Sequence, residues 1–471
     1  MSFRNHLNVL QHLNYLNPAV KGTKVVHLPK HPNFDSHYLN LQRETNIMYS
    51  RRQFLRSAAA AAVTAPFATS LFADDTPARR PRIAFLGTVV KELSHAQHFL
   101  DRMTAGYTWG GTWQTPRVEV AGVYIDQMQA GPDLGKQRIK KHGLKQFPTV
   151  AETLTLGGEK LAVDGVVIIG EHGDYPRNEF GQKLYPRYKW FKEAVKVFEA
   201  SGRCVPIFND KHLSTSWAEC EEMVADSKRL GFPFLAGSSL PVTWRHPETE
   251  VPLGTNLTES VCVAYGGVDS YDFHALETAQ CMSERRRGGE VGIRRVTALE
   301  GADVWDYLRK SDARRTHDLV MAALNRSHTH PTSGGFPKEP VSLEWAKNQL
   351  KEVTAYFVEH LDGFKTTILL TEIRDFNYAG YDADADKIIS CQMYLPMPGR
   401  GATTADFFNP LTRHIEEMML IGKAPYPVER TLLTSGMVIG GVMALHTGKP
   451  FETNDMAVAY QAPKASLFWQ T

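Results

Sequence analysis

The sequence has few cysteines, almost no net charge and no long uninterrupted apolar segment. Its five cysteines are an odd number and none has CxxC spacing, so neither a disulfide framework nor a zinc knuckle is predicted. The 53 basic and 51 acidic residues leave a formal net charge of +2, which gives no reason to expect a nucleic-acid partner. After residue 73 no segment approaches the about 20 apolar residues of a membrane-spanning helix. We therefore expect no membrane span in the mature protein.

The segment around residue 50 has the order of an export signal. Residues 50–56 read SRRQFLR, a short alanine-rich apolar run follows, and Ala73 precedes two aspartates. This order predicts a twin-arginine signal peptide over residues 48–73, and hence export to the periplasm by the twin-arginine machinery. Because Met48 stands just before the paired arginines, we interpret residues 1–47 as a non-native N-terminal extension.

From residue 80 onward, buried strands alternate with helices. A helical pattern over 190–201 separates two of these strands, which is typical of parallel βαβ units. Residues 80–215 are therefore predicted to form a Rossmann-like, doubly wound parallel sheet. The predicted strands are 82–87, 118–125, 164–170 and 204–208.

Residues 216–471 have a different pattern. A helix is predicted at 217–230, and two late helices at 402–422 and 428–446. Runs of strands without regular intervening helices predict an α/β domain of the α+β type, with an open mixed or antiparallel sheet. The predicted strands of this domain are 260–265, 291–300, 364–373 and 387–394.

Polar residues follow two of the predicted parallel strands. The third strand leads into Glu171-His172-Gly173-Asp174-Tyr175, and the fourth leads into Asn209-Asp210-Lys211. Ligands of open α/β sheets bind at the carboxyl ends of the strands, so these residues are candidates for a site. A lysine there can bond a substrate hydroxyl and lower its pKa. A surface loop and a solvated lysine remain alternatives.

In this order of domains and motifs the chain resembles the Gfo/Idh/MocA family of oxidoreductases. Members of that family have a GxGxxG turn after the first strand; here the turn reads GTVVKE and only Gly87 matches. Asp126 stands at the end of the second strand, where the family has an acid that binds the adenosine ribose. The resemblance implies a tightly bound NAD or NADP. The cofactor-binding residues implied in this way are Gly87, Thr88, Asp126, Gly170, Asn209 and Asp210.

Two further motifs imply roles in catalysis. Lys211 occupies the position of the lysine in the family's Glu-Lys-Pro motif, and His274 matches the acid/base histidine of the second domain. The resemblance implies that these two residues are catalytic and that Glu277, one helical turn later, orients the His274 ring. A histidine packed in a domain interface is the alternative. The substrate-binding residues implied here are Glu171, His172, Asp174, Tyr175 and Glu277.

The function implied is an exported oxidoreductase that transfers a hydride between NAD(P) and a sugar or polyol hydroxyl. Glycoside cleavage by transient oxidation is a variant of that chemistry. A non-catalytic descendant that binds a carbohydrate or a partner protein is the alternative, with the 109–113 segment as an aromatic surface. A metal-dependent hydrolase that uses Asp174, His172 and His274 is a third hypothesis. The groups at 328–330 and 414–417 have no complete ligand set at recognised spacing, so no metal site is predicted. Family members often pair through the open face of the second sheet, which implies a homo-oligomer.

Overall fold

The computed structural model of the chain describes residues 79–128, 133–331, 338, 340–397 and 404–470. The predicted N-terminal extension and signal peptide, residues 1–47 and 48–73, lie outside the described residues. Within the described part of the chain, no helix is both long and apolar enough to cross a bilayer.

The first half of the described chain is built around a parallel sheet. Its strands are β1 (Arg82–Gly87), β2 (Tyr107–Trp109), β3 (Thr112–Gln114), β4 (Glu119–Ile125), β5 (Gly165–Ile169), β6 (Ile207–Asp210) and β7 (Phe234–Gly237). Its helices are α1 (His95–Ala105), α2 (Leu134–His142), α3 (Val150–Thr155), α4 (Arg187–Ser201) and α5 (Trp217–Leu230). Strands β2 and β3 form a separate hairpin that turns through Gly110 and Gly111, both with positive φ.

The strand order is β4-β1-β5-β6-β7, and every neighbouring pair is parallel. This confirms the doubly wound sheet predicted from the alternating pattern. The chain moves to one side of β1 to form β4 and to the other side to form β5, so the order reverses between β1 and β5. A crevice therefore opens outside the carboxyl ends of these two strands. Strand β7 was not predicted, and it continues the parallel sheet beyond residue 215.

The second half of the described chain forms a mixed sheet of eight strands. The order is β15-β10-β11-β12-β9-β13-β14-β8, and only the β12–β9 pair is parallel. This agrees with the predicted mixed sheet. Its strands are β8 (Arg245–His246), β9 (Leu257–Tyr265), β10 (Ile293–Glu300), β11 (Thr354–His360), β12 (Lys365–Thr371), β13 (Phe376–Asp382), β14 (Lys387–Met393) and β15 (Phe451–Glu452). Its helices are α6 (Asp272–Ser283), α7 (Ala302–Leu308), α8 (Arg314–Leu324), α9 (Leu343–Gln349), α10 (Phe408–Ile421) and α11 (Glu429–Thr447).

Both faces of the mixed sheet are covered. Successive side chains of a strand point to opposite faces. Along β9, Cys262 and Ala264 join the main core, to which α6 and α11 contribute, whereas Val261 and Val263 join a second apolar cluster. Helices α7, α8 and α9 supply half of the buried residues of the second cluster. This chain's own helices thus pack on a face of the mixed sheet, and the homo-oligomer stays a prediction.

Candidate functional site

A cavity of about 380 Å³ lies at the crevice, between the carboxyl ends of the parallel strands and the first turn of α6. Four residues that the sequence singled out line it: Glu171, His172, Lys211 and His274. Other lining groups come from the start of α1, from Ser238, Ser239 and Tyr271, and from Phe407 and Phe408. The cavity thus joins the parallel-sheet half of the chain to the mixed-sheet half.

Glu171 lies at the centre of this group. Its buried carboxylate contacts the backbone of His95 and the side chains of Lys211 and His172. Oε1 accepts a hydrogen bond from the backbone N–H of His95, and Oε2 is paired with the Lys211 ammonium group. The Nε2 atom of His172 lies 3.4 Å from Oε1. Burial acts to raise the pKa of Glu171, but His95, Lys211 and His172 together hold it well below its ordinary value.

His95 connects Glu171 to a second buried carboxylate. It is the first residue of α1, which Ser94 caps by accepting a hydrogen bond from the N–H of Gln97. Its Nδ1 atom lies 3.0 and 2.9 Å from the two carboxylate oxygens of Asp210, and its Nε2 atom lies 4.0 Å from Oε2 of Glu171. Asp210 was predicted to bind a cofactor; here its carboxylate bonds a side chain of the same chain.

Two residues of the site have left-handed backbone conformations. His172 has φ 60° and Lys211 has φ 68°, values that residues other than glycine rarely adopt. Such residues cost about 1–3 kcal/mol each and concentrate at functional sites. The Lys211 N–H still donates to the carbonyl of Gly237 at 3.0 Å, so the strained turn is tied to strand β7.

His274 lines the cavity, but Glu277 does not orient it. The Nδ1 atom of His274 is buried without a hydrogen-bond partner, and burial, then Lys211 and His95, lower the pKa of His274 well below its ordinary value. Oε2 of Glu277 instead accepts hydrogen bonds from the N–H of Ser238, at 2.9 Å, and from its hydroxyl. Burial raises the pKa of Glu277 to about 7. The predicted contact between Glu277 and His274 is therefore replaced by one between Glu277 and Ser238.

The predicted substrate-binding residues Asp174 and Tyr175 lie against the end of β4. The Tyr175 hydroxyl donates to Asp126 at 2.6 Å, and the Tyr124 hydroxyl donates to the other carboxylate oxygen at 2.5 Å. The backbone of Asp174 exchanges two hydrogen bonds with the Gln127 side chain. Both oxygens of Asp126, the predicted ribose ligand, are thus bonded within the chain.

The turn after Gly87 is part of the core. Thr88, Val89 and Val90 are buried, and the Thr88 hydroxyl bonds the backbone of Glu171. Two other predicted cofactor residues are buried as well. Gly170 packs so closely on Arg187 that a Cβ atom would lie 2.6 Å from Cγ of that arginine. The Asn209 amide donates to the backbone carbonyls of Asp210 and His212, both at 3.3 Å.

These contacts bear directly on how a dinucleotide would fit. A pyrophosphate binds free N–H groups at a helix N-terminus. At α1 the Glu171 carboxylate already accepts the N–H of His95, and a second anion there would be repelled by it. As arranged, the N-terminus of α1 does not present a free phosphate site for NAD(P). Pyrophosphate binding there would require Glu171 to leave His95.

His95 is the site residue that the sequence analysis did not single out. The feature that could have identified His95 is its position, since it follows the Ser94 cap at the start of the first helix after β1. That position places a side chain at the point where the strand order reverses. Its pairing with Asp210 joins residues 115 positions apart, which no local pattern reports.

No protein-family model and no curated protein matches the chain. Solved structures align with it at low identity. One is GenD2 from gentamicin A biosynthesis in complex with NAD, at 13% identity over 80% of this chain and 97% of that one, with a TM-score of 0.48. A probable dehydrogenase from Thermotoga maritima aligns at 9% identity over 79% and 98%, with a TM-score of 0.47.

A third is an aldose-aldose oxidoreductase from Caulobacter crescentus complexed with glycerol, at 13% identity over 80% and 100%, with a TM-score of 0.44. With every TM-score below 0.5, these alignments assign neither an activity nor a cofactor to this chain. The two-domain α/β fold follows from its own sheets, and its chemistry has to be inferred from the residues of the crevice.

Proposed function

We propose that this chain is an oxidoreductase that acts on a hydroxyl of a sugar or polyol bound in the crevice. The observation that carries the proposal is that Lys211 and His274 line one cavity at the carboxyl ends of the parallel strands. Ser239 and Tyr271, whose side chains carry hydroxyls, line the same cavity and suit a polyhydroxylated substrate. Export through the twin-arginine route to the periplasm belongs to this proposal.

Lys211 and His274 have separate roles in the removal of the proton from the substrate hydroxyl. The Lys211 ammonium group donates to the substrate hydroxyl oxygen and stabilises the alkoxide that forms as the proton leaves. His274, held neutral by burial, accepts a proton without first having to lose one. Glu171 holds Lys211 in place through the buried ion pair. The strained backbone of Lys211 is consistent with a side chain positioned for chemistry.

The family resemblance implies NAD(P) as the cofactor, which would accept the hydride when bound. Residues 87–92 and Asp126 would lie along it, and its pyrophosphate would have to replace the Glu171 carboxylate at α1. Glycoside cleavage by transient oxidation requires the same first proton transfer, so it stays within the proposal.

Native mass spectrometry of the purified full chain, produced in the cytoplasm, tests this assignment. A mass excess equal to NAD(H) or NADP(H), with the matching ultraviolet absorption, supports the oxidoreductase and identifies the cofactor. Oxidation of a sugar or polyol should then change that absorption. A protein that carries no nucleotide, ignores added NAD(H) and NADP(H), and leaves sugars unchanged would contradict the proposal. Carbohydrate binding in that empty protein would favour the non-catalytic alternative.

A further inference from the structure

We propose that His95, Glu171 and Asp210 form a binding site for a divalent transition-metal ion of the zinc type. The three residues come from the first turn of α1, the segment after β5 and the end of β6. One ligand atom from each lies within 4.8 Å of the other two. An imidazole and two carboxylates are a ligand set that such ions accept.

The spacing of the three groups fits one ion with small adjustments. Metal–nitrogen and metal–oxygen bonds of about 2.0–2.2 Å place two ligand atoms on the order of 3–4 Å apart. Only one nitrogen of the His95 ring would bind the ion, and one ligand atom from each of the three residues lies within 4.8 Å of the other two, so the groups need only close slightly around it. A helix turn and a strand end supply His95 and Asp210, and rigid elements of this kind maintain coordination geometry better than loops.

The buried ring nitrogen of His274 that has no hydrogen-bond partner is an independent indication of a ligand here. Its side chain is 5% exposed, and its ring lies 6.2 Å, centroid to centroid, from the ring of His95. It lines the same cavity, and its Nδ1 atom has no hydrogen-bond partner. A buried polar atom without a partner costs about 1–3 kcal/mol. An ion, or a water molecule bound to it, would give His274 the partner that it lacks.

The two carboxylates of the site are its candidate anionic ligands. Glu171 and Asp210 are both buried, Lys211 is paired with Glu171, and the buried Arg187 guanidinium lies near both carboxylates. A carboxylate has two oxygens, so Glu171 can keep the His95 N–H on Oε1 while Oε2 binds the ion. The ion would then take the place of Lys211 on Oε2, and the released ammonium group would face the cavity. There the ion would polarise a hydroxyl or carbonyl oxygen of the substrate.

This inference goes beyond the proposed oxidoreductase, because it names a different occupant for the crevice. The ion needs Glu171 at the N-terminus of α1, whereas a pyrophosphate needs Glu171 to leave. The two occupants therefore exclude each other at that position.

Calorimetric titration of the dialysed full chain with Zn²⁺ and with Mn²⁺, alongside elemental analysis of the untreated protein, tests the site. We expect one equivalent of ion per chain, and Co²⁺ as a spectroscopic probe should give visible absorption bands. His95→Ala and Asp210→Asn should each weaken binding at least tenfold. His317→Ala is the matched control, since His317 pairs with Asp318 at 3.0 Å and the two belong to no three-ligand cluster among the described residues.

Three outcomes would overturn the proposal. The first is a wild-type chain that binds no ion at excess metal. The second is ion binding that His95→Ala and Asp210→Asn leave unchanged, which would locate it elsewhere. The third is a bound dinucleotide that remains, by native mass spectrometry, when the chain is saturated with Zn²⁺. Because the wild-type titration and the Co²⁺ spectrum need no variant, the proposal stays testable if a variant fails to fold.

Discussion

The carboxylate of Glu171 accepts a hydrogen bond from the backbone N–H of His95, the residue at which α1 begins. This contact places an anion of the chain at the helix end that a Rossmann-like domain commonly offers to a phosphate. The partial positive charge of the helix N-terminus stabilises the carboxylate. The same contact brings the imidazole of His95 between Glu171 and Asp210. This hydrogen bond therefore opposes the binding of a pyrophosphate at the N-terminus of α1.

Removal of the negative charge at α1 should increase affinity for dinucleotides. In Glu171→Gln the repulsion between the carboxylate and a pyrophosphate is lost, and we expect NADH to bind roughly tenfold more tightly, the scale of a charge at a helix N-terminus. Fluorescence titration with NADH measures this. Glu417→Gln, which changes a partly exposed carboxylate paired with Arg117 and Arg413, is the control and should leave the affinity unchanged. Equal affinity of Glu171→Gln and the wild type would contradict the expectation.

Lys211→Ala and His274→Ala should each reduce turnover of the true substrate by roughly 10²–10⁴, the usual contribution of acid–base catalysis. Steady-state kinetics on the substrate found by screening measures the loss. Lys228→Ala is the matched control, since its exposed side chain pairs with Glu429. Normal rates in both crevice variants would show that neither residue handles the proton.

The stability of the protein should fall as pH rises toward neutrality because of Glu277. Burial raises its folded pKa to about 7 from 4.5, so the folded state holds a proton that the unfolded state releases at lower pH. The contribution is fully present below pH 4.5 and is lost as pH rises through 7. The 2.5-unit difference corresponds to on the order of 3 kcal/mol.

Urea unfolding of wild type and Glu277→Gln between pH 5 and pH 8 measures this effect. The variant has no ionisable group at this position. Its free energy of unfolding, relative to that of the wild type, should therefore increase as pH rises. Parallel pH profiles for the two proteins would show that Glu277 titrates normally in the folded state.

Gly170→Ala should destabilise the fold by about 1–3 kcal/mol, the usual effect of overpacking. The added Cβ would lie 2.6 Å from Cγ of Arg187, so α4 or the end of β5 would have to shift. Gly267→Ala is the control, because no atom lies within 4 Å of its Cβ position. Thermal unfolding followed by circular dichroism compares them. A variant as stable as the control would mean that Arg187 moves aside freely.

Elements with strong local patterns were predicted closely. Strand β1 spans the predicted residues 82–87, and α5 spans 217–230 as expected, because apolar runs and helical periodicity are local signals. Strand β7 was missed because four residues, Phe234–Gly237, are too few to establish a period. The second apolar cluster was missed for another reason. Its cover, helices α7 to α9, consists of short elements separated by loops, and nothing local shows which sheet face they contact.

Local signals predicted which residues line the crevice, whereas their pairing depended on the tertiary structure. Glu171, His172, Lys211 and His274 were predicted from strand ends and motif positions, and all four line the cavity. Pairing was beyond prediction, because Lys211 meets Glu171 across 40 residues and His95 meets Asp210 across 115. Glu277 lies one turn from His274 on α6, but its carboxylate bonds Ser238 at the end of β7, a strand that the sequence analysis did not recognise.

The sequence by itself determined the alternation of strands and helices, and therefore the parallel sheet and the edge at which polar residues gather. These follow from periodicity and from the rule that parallel strands end together. Only the tertiary structure decided which partner each ionisable group takes. It placed Glu171 on the N–H of His95, engaged Asp126 with Tyr175, and covered the outer face of the mixed sheet. Hydrogen bonds and ion pairs act over about 3 Å, and only the packed fold brings such distant residues that close.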